Sequence, residues 1–301
     1  MQKKWKIIML FISLMAIFAI AGCSGGGDSE KKDASSVKKE ATEESENRIV
    51  AGTVVIAEIL DKLEIDAIAV PQTEKKLPER FDGLTSIGNA MEPDMEIVKS
   101  LNPTDVLSVS TLEYDLQDKF KQLKIPVNFL NFQSVDAMLE EIKTLGERYD
   151  RNAQAEELVA SLQKSIDAVQ TVAANKEGPR VLILLGIPGS YLVATENSYA
   201  GDLVKRAGGV NVMEGQDAEY LSSNTEYLHN SNPDIILRLS HGMPDEVVKM
   251  FDEEFKTNGI WKHFSAVKNG KVYDLEEELF GTTASLQVPQ ALGQLMEIFY
   301  R

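Results

Sequence analysis

The chain has 301 residues, 43% of them hydrophobic, which is enough for two domains of ordinary size. Its formal charge of −16 argues against nucleic acid as a partner, since a phosphate backbone is held by basic side chains. Cys23 is the only cysteine, which excludes an intramolecular disulfide and any zinc or iron–sulfur site built on cysteines.

Residues 1–22 carry Lys3, Lys4 and Lys6, then an apolar run too short for a stable membrane span. That is the anatomy of a secretory signal. The run ends in IAGC, which looks like a lipobox; cleavage there would leave Cys23 lipidated as the mature N-terminus, at a formal charge of −19. An ordinary cleaved signal with a cysteine close by is the other reading. Acyl chains on Cys23 would hold the protein on the extracytoplasmic face of the cell membrane without a spanning helix. Residues 23–47 are then the lipidated cysteine and a tether. From 24 onward this stretch has one valine, two alanines and no larger apolar group, too little to offset the entropy of ordering.

From Arg48 the pattern changes. RIVA and DAIAV read as buried strands around a helical TVVIAEILDKLEI. TDVLSVS and PVNFLN then alternate with the helical LEYDLQDKFKQL and SVDAMLEEIKTLGERY. Alternation of this kind indicates α/β units around a mainly parallel sheet, so residues 48–150 are expected to form an N-terminal α/β lobe. Residues 151–177 read as one long helix, with Ala155, Leu158, Val159, Leu162, Ile166, Val169 and Val172 on a single face. Asn152 is its expected N-cap and Gly178-Pro179 its end, giving roughly 35 Å of helix. Residues 178–301 form the C-terminal α/β lobe, through RVLILL, YLVA, YAGDLVKRAGGV, DIILRLS, PDEVVKMFDEEF and KVYDL to a last helix ending near Tyr300.

A repeat relates the two lobes. MEIVKSLNPTDVLSVS (Met95–Ser110) aligns without gaps on TEYLHNSNPDIILRLS (Thr225–Ser240), at a constant offset of 130. Glu96 falls on Glu226, Asn102-Pro103 on Asn232-Pro233, and Ser110 on Ser240. Each copy reads as a short helix, an Asn-Pro turn and a buried strand. Two similar lobes joined by one long backbone helix are therefore expected, with the ligand in the cleft between them.

These features together resemble the substrate-binding lipoproteins of ABC importers for iron complexes and cobalamin, over Arg48–Tyr300. The strings TENSYAGDLVKRAGGVNV, NPDIILRLS and WKHFSAVKNGKVYDL carry the likeness. GNAMEPDMEIVKSLNPTDVLS and SHGMPDEVVKMFDEEF narrow it to the haem receptors of Gram-positive bacteria. The resemblance implies a class III substrate-binding fold and haem (iron protoporphyrin IX) as transported ligand. It implies Met91 and His241 as axial ligands of the iron, and Glu96 and Glu226 as contacts for the ABC permease. It also implies a monomer that is not an enzyme and that receives haem from upstream cell-wall haem-transfer proteins.

The residues can be weighed without the family. Met91 and His241 each precede a proline-led helix, MEPDME and HGMPDE, and proline with following acids suits a helix start. His241 follows a strand end, where open α/β sheets bind ligands. Imidazole and thioether can fill the two axial positions of porphyrin iron. Met95 and Met243 are rivals for the thioether, because methionine commonly fills core gaps. Haem propionates need donors, and the start of the first helix at Thr53 and Val54 is the candidate. No nucleophile elbow, Walker motif or dinucleotide glycine pattern is present to support an enzyme. The alternative ligand is an iron(III)–siderophore or cobalamin, for which Tyr191, Tyr199 and Arg238 are the available gripping residues.

Overall fold

The computed structural model describes residues 47–223, 228 and 231–301. The signal, the tether, Cys23, Glu226 and His229 lie outside the described residues.

The N-terminal sheet has five strands: β1 (Ile49–Ala51), β2 (Ala69–Val70), β3 (Thr85–Ser86), β4 (Asp105–Val109) and β5 (Val127–Leu130). Their order is β3-β2-β1-β4-β5 and every pairing is parallel. Helices α1 (Val54–Lys62), α2 (Met95–Ser100), α3 (Glu113–Leu123) and α4 (Val135–Arg148) supply the crossovers. β1 and β4 are buried along their whole length, which is why they read as unbroken apolar runs.

Helix α5 (Asn152–Ala173) comes next, 22 residues long. Its N-cap is Arg151, one residue before the expected Asn152, and makes no side-chain cap bond; Asn152 is already helical, and the helix ends at Ala173, short of the expected 177. The register is set instead by Gly146, whose carbonyl accepts from Arg151 N at 2.7 Å. A Cβ on Gly146 would meet Ala155 at 2.5 Å, so α4 and α5 can pass closely only because of that glycine.

The C-terminal sheet contains β6 (Arg180–Ile187), β7 (Ser190–Ala194), β8 (Val210–Asn211), β9 (Tyr220–Ser222), β10 (Ile235–Ser240) and β11 (Val272–Leu275). Its order is β11-β10-β6-β7-β9, with β8 beside β6. β6, β8, β10 and β11 run parallel, whereas β7 and β9 are antiparallel additions. Around this sheet lie α6 (Tyr199–Arg206), α7 (Pro244–Thr257), α8 (Ser265–Lys268) and α9 (Val288–Tyr300). Helix α6 ends as its two glycines require. Gly208 takes φ +86, Gly208 N donates to Lys205 O at 3.0 Å and Gly209 N to Val204 O at 2.8 Å, which is a Schellman closure.

One apolar core runs from β1, α1 and α4 through Leu162 and Ile166 of α5 to β6, α6 and α9. The long helix is thus packed against both sheets, and each lobe keeps a second core on its outer face.

The repeat is structural as well as sequential. Asn102 and Asn232 both hold left-handed backbone, at φ +52 and +34. Arg48 N donates to Thr104 Oγ1 and Arg180 N to Asp234 Oδ2, each at 2.8 Å. The guanidinium of Arg48 donates to Leu101 O, and that of Arg180 to Ser231 O, at 2.6 and 3.0 Å. In both lobes an arginine at the entrance to the first strand therefore satisfies a carbonyl left open at the Asn-Pro turn.

Candidate functional site

A cleft of about 1080 Å³ lies between the sheets. Thr53, Val54, Val55, Ala90, Met91 and Val109 line it from the N-terminal side, Leu185, Ile187, Leu192, Tyr220 and His241 from the other. Most of these follow or end strands that point the same way, as the carboxyl-end rule for parallel sheets requires.

Met91 is presented by a turn. Its N–H donates to Asn89 Oδ1 at 2.8 Å, Glu92 N donates to Asn89 O at 3.1 Å, and Gly88 bridges to Pro93 beneath. Met91 is left 55% exposed, unusual for so apolar a residue. Pro93 is not the first residue of a helix, contrary to expectation. Asp94 caps α2 in its place, accepting from Glu96 N and Ile97 N at 3.0 Å each. The rivals lie elsewhere: Met95 packs against the outer core of the N-terminal sheet, and Met243 is not among the residues lining the cleft.

His241 stands where β10 ends. Its N–H donates to Gly186 O at 2.9 Å, which extends the β10–β6 ladder by one bond. Gly242 at φ +70 and Met243 at φ +46 then turn the chain into α7, and here Pro244 does take the first helical position. A Cβ on Gly186 would lie 2.3 Å from Val247 and 2.6 Å from Phe251, so α7 can settle on β6 directly behind the histidine. The His241 Nδ1 atom is 3.7 Å from Glu277 Oε1.

Thr53 caps α1, its hydroxyl accepting from Ile56 N at 3.4 Å and its carbonyl from Ala57 N at 3.1 Å. The first-turn N–H groups of Val54 and Val55 face the cleft end of the helix, without intrahelical acceptors. Glu96 is exposed in the first turn of α2.

Several cleft residues carry no signature that sequence reading picked out. Glu58, Glu219, Glu277 and Glu278 line the cleft, as do Lys75 and Lys76. Burial raises the Glu58 carboxyl above its ordinary range; Lys75 opposes this and Glu278 adds to it. Burial also raises Glu219, which Gln133 partly offsets. The Glu276–Glu278 run follows β11 directly, so the strand-end rule that singled out His241 could have found it.

The residues available for gripping a siderophore are turned away. Tyr199, the first residue of α6, is wholly buried. Tyr191 packs on Phe251 and Trp261 and donates to Glu254 at 3.2 Å. Arg238 is tied to Asp274 and Asp252. None of the three lines the cleft. His263 is exposed on the 3-10 turn Gly259–His263 and likewise does not line it. Among the described residues, no group of three or more His, Cys, Asp and Glu gathers to hold a bare metal ion, and no helix is long and apolar enough to cross a membrane.

Comparison with known proteins places this geometry. Residues 49–279 match the family model described as periplasmic binding protein. The high-affinity heme uptake system protein IsdE of Staphylococcus aureus (strain Newman) is 51% identical over 268 residues, covering 89% of this chain and 92% of that protein. Among solved structures, S. aureus IsdE complexed with heme is similar with TM-score 0.83 and 51% identity, over 85% of this chain and 100% of that one. An ABC transporter substrate-binding protein from Listeria monocytogenes EGD-e gives TM-score 0.81 and 54% identity, over 84% of this chain and 98% of that one.

Proposed function

The chain belongs to the periplasmic binding protein family, and from that premise we propose that it is the haem receptor of an ABC importer, binding haem between its lobes and delivering it to the permease for iron acquisition. The observation that carries this reading is the placement of Met91 and His241 in one cleft, from different lobes, in a chain 51% identical to a haem uptake protein.

The donor set suits the cargo. Porphyrin nitrogens hold the iron in plane, so the protein need supply only axial groups, and a thioether with a neutral imidazole can do so. Val54, Val55, Leu185, Ile187, Leu192 and Tyr220 give apolar surface for the macrocycle. The cleft volume, at about 1080 Å³, lies near the upper end of small-ligand sites, roughly 300–1,000 Å³. The propionates would meet the first turn of α1 at Thr53 and Val54, with the Lys75 and Lys76 ammonium groups lining the same cleft. No covalent attachment is involved, as release to a permease requires.

Glu96 and its repeat partner Glu226 are the contacts for basic residues of the permease, a charge complementarity that favours orientation and on-rate. Cys23, lipidated, anchors the receptor to the extracytoplasmic face of the membrane through the 23–47 tether. The working unit is a monomer with lobes at 48–150 and 178–301 joined by the 151–177 segment that carries α5, a transport receptor without catalysis, loaded by upstream haem-transfer proteins.

The test is a haemin titration of residues 47–301, followed by absorption, for the native chain, Met91→Ala and His241→Ala. Native protein should shift the Soret band and each variant should alter the bound spectrum. Absence of a shift with native protein would sink haem as the cargo. A shift that neither substitution changes would sink the ligand assignment alone. A fluorescence titration with ferric hydroxamates should give no saturable binding.

A further inference from the structure

The pairing of β10 with β11 has a fixed offset of 36: Ile236 faces Val272, Leu237 faces Tyr273, Arg238 faces Asp274 and Leu239 faces Leu275. Carried two residues past the last pair, the same offset sets Glu277 opposite His241. The side chains meet accordingly. Glu277 Oε1 accepts from Gly242 N at 3.0 Å, which fixes the carboxylate in the loop following the histidine, and it lies 3.7 Å from His241 Nδ1. Both residues line the cleft.

We infer that Glu277 is the positioning residue for the haem-binding histidine: its carboxylate accepts the Nδ1–H of His241, selects that tautomer, and presents Nε2 to the iron. The inference rests on the haem reading and deepens it. At 3.7 Å the contact is longer than a hydrogen bond, and a small rotation of the imidazole toward an axial position closes it. Metal-bound histidines regularly donate their second N–H to a carboxylate, which fixes the ring and increases its basicity. The Gly242 N–H holds Glu277 in place before cargo arrives, so little reordering is needed on binding. A more basic imidazole donates more strongly to iron(III), so Glu277 should hold the bound iron toward its ferric state.

Haem complexes of the native chain, Glu277→Gln, Glu277→Ala and Glu278→Gln are compared by haem affinity, absorption and the ferric/ferrous midpoint potential. Glu278→Gln removes the same charge from the same cleft without contact to the imidazole. The expected result for Glu277→Gln is a loss of haem affinity of about tenfold and a weakened ferric preference of similar factor, about 59 mV upward for one electron. Glu277→Ala, which also loses the Gly242 bond, should lose at least as much; Glu278→Gln should move the potential less than Glu277→Gln. Equal shifts from Glu277→Gln and Glu278→Gln, or none from Glu277→Gln, would overturn the positioning role. If the native chain itself failed to bind haemin, the haem reading would fall first, and that outcome is distinguishable because it needs no variant.

Discussion

Gln133, just beyond the N-terminal sheet, donates its side-chain amide to Glu219 of the C-terminal lobe at 2.6 Å, so a wall residue of the cleft is tied across the lobes. The tie has company. Val135 N donates to Asp202 at 2.8 Å, Arg206 pairs with Asp136 at 2.9 Å, and Ala284 N donates to Phe132 O at 2.7 Å. The short segment 132–136 is therefore held by the C-terminal lobe at several points, besides the continuous core along α5. Such a junction resists wide separation of the lobes.

Gln133→Ala should lower stability by about 1 kcal/mol, the net worth of one hydrogen bond. The pH dependence follows from Glu219. Its carboxyl is raised by burial, so its proton favours the fold below the ordinary value of 4.5 and that contribution is lost as pH rises through the raised value. The Gln133 amide works against this shift by supporting the carboxylate. Its removal should therefore cost more at neutral pH than at pH 4, as thermal unfolding at the two conditions would reveal. An equal loss at both would exclude Glu219 as the source.

Glu58 allows a second linkage test within the cleft. Its pKa is raised by burial, opposed by Lys75 and reinforced by Glu278. Above the raised value the fold carries a partly buried charge, whereas Glu58→Gln does not. The variant should be more stable than the native chain at neutral pH, by roughly 0.5–1 kcal/mol after solvent screening, and the gain should vanish below the ordinary value of 4.5. Propionates bound at the start of α1 would raise Glu58 further, so haem binding should take up protons and weaken as pH rises. Glu58→Gln should flatten that slope in titrations at several pH values.

Asn102 and Asn232 hold equivalent left-handed turns but should respond differently to glycine. Glycine relieves the conformational strain at either site. Asn232 Oδ1, however, also accepts from Ser265 N at 3.4 Å and Ser265 Oγ at 3.1 Å. Asn232→Gly should thus cost about 1 kcal/mol by losing those bonds, while Asn102→Gly should be neutral or slightly stabilising in chemical denaturation. Asn102→Ala, with a Cβ at φ +52, should be destabilised by roughly 1–2 kcal/mol.

The repeat is where the sequence was most legible. A gapless offset of 130 preserves the apolar run, the Asn-Pro turn and the strand, because each is dictated by local chemistry that both lobes share. The buried strands β1, β4, β6 and β10 and the amphipathic α5 were equally plain. Less plain were elements set by tertiary contact. β2 and β3 are two residues each, the antiparallel β7 depends on a hairpin at Gly189, φ +84, rather than on a crossover, and β9 joins the sheet only by pairing with β7. Pro93 illustrates the limit of a local rule: proline and acid suit a helix start, yet Asp94 takes the cap because its side chain reaches two backbone donors. In the cleft, His241 stands out by its strand-end position and Met91 chiefly by the family resemblance, whereas Glu58 looks like any helix glutamate until its burial is known. Arg238, read as a cleft group, belongs to the sheet because two aspartates remote in sequence hold it.

Arg238 links sheet stability to the histidine. It donates to Asp274 through Nε at 2.7 Å and Nη2 at 2.5 Å, and to Asp252 at 3.0 Å, with Phe251 and Phe255 beside its guanidinium. Arg238 and Asp274 are register partners, three residues ahead of His241 and Glu277. The paired aspartates keep some contact with water, so Arg238→Met leaves no fully buried charge and should cost about 2 kcal/mol, less than rupture of a fully buried pair. Its sharper signature should be local. Amide exchange should quicken along β11 and the Glu276–Glu278 loop, while β1 and β4 in the other lobe keep their protection. Asp252→Ala, which removes the more exposed partner and leaves the register pair intact, should cost under about 1 kcal/mol and leave β11 exchange unchanged. If Arg238→Met alters neither β11 exchange nor the spectrum of bound haem, then Arg238 is not what keeps Glu277 beside His241.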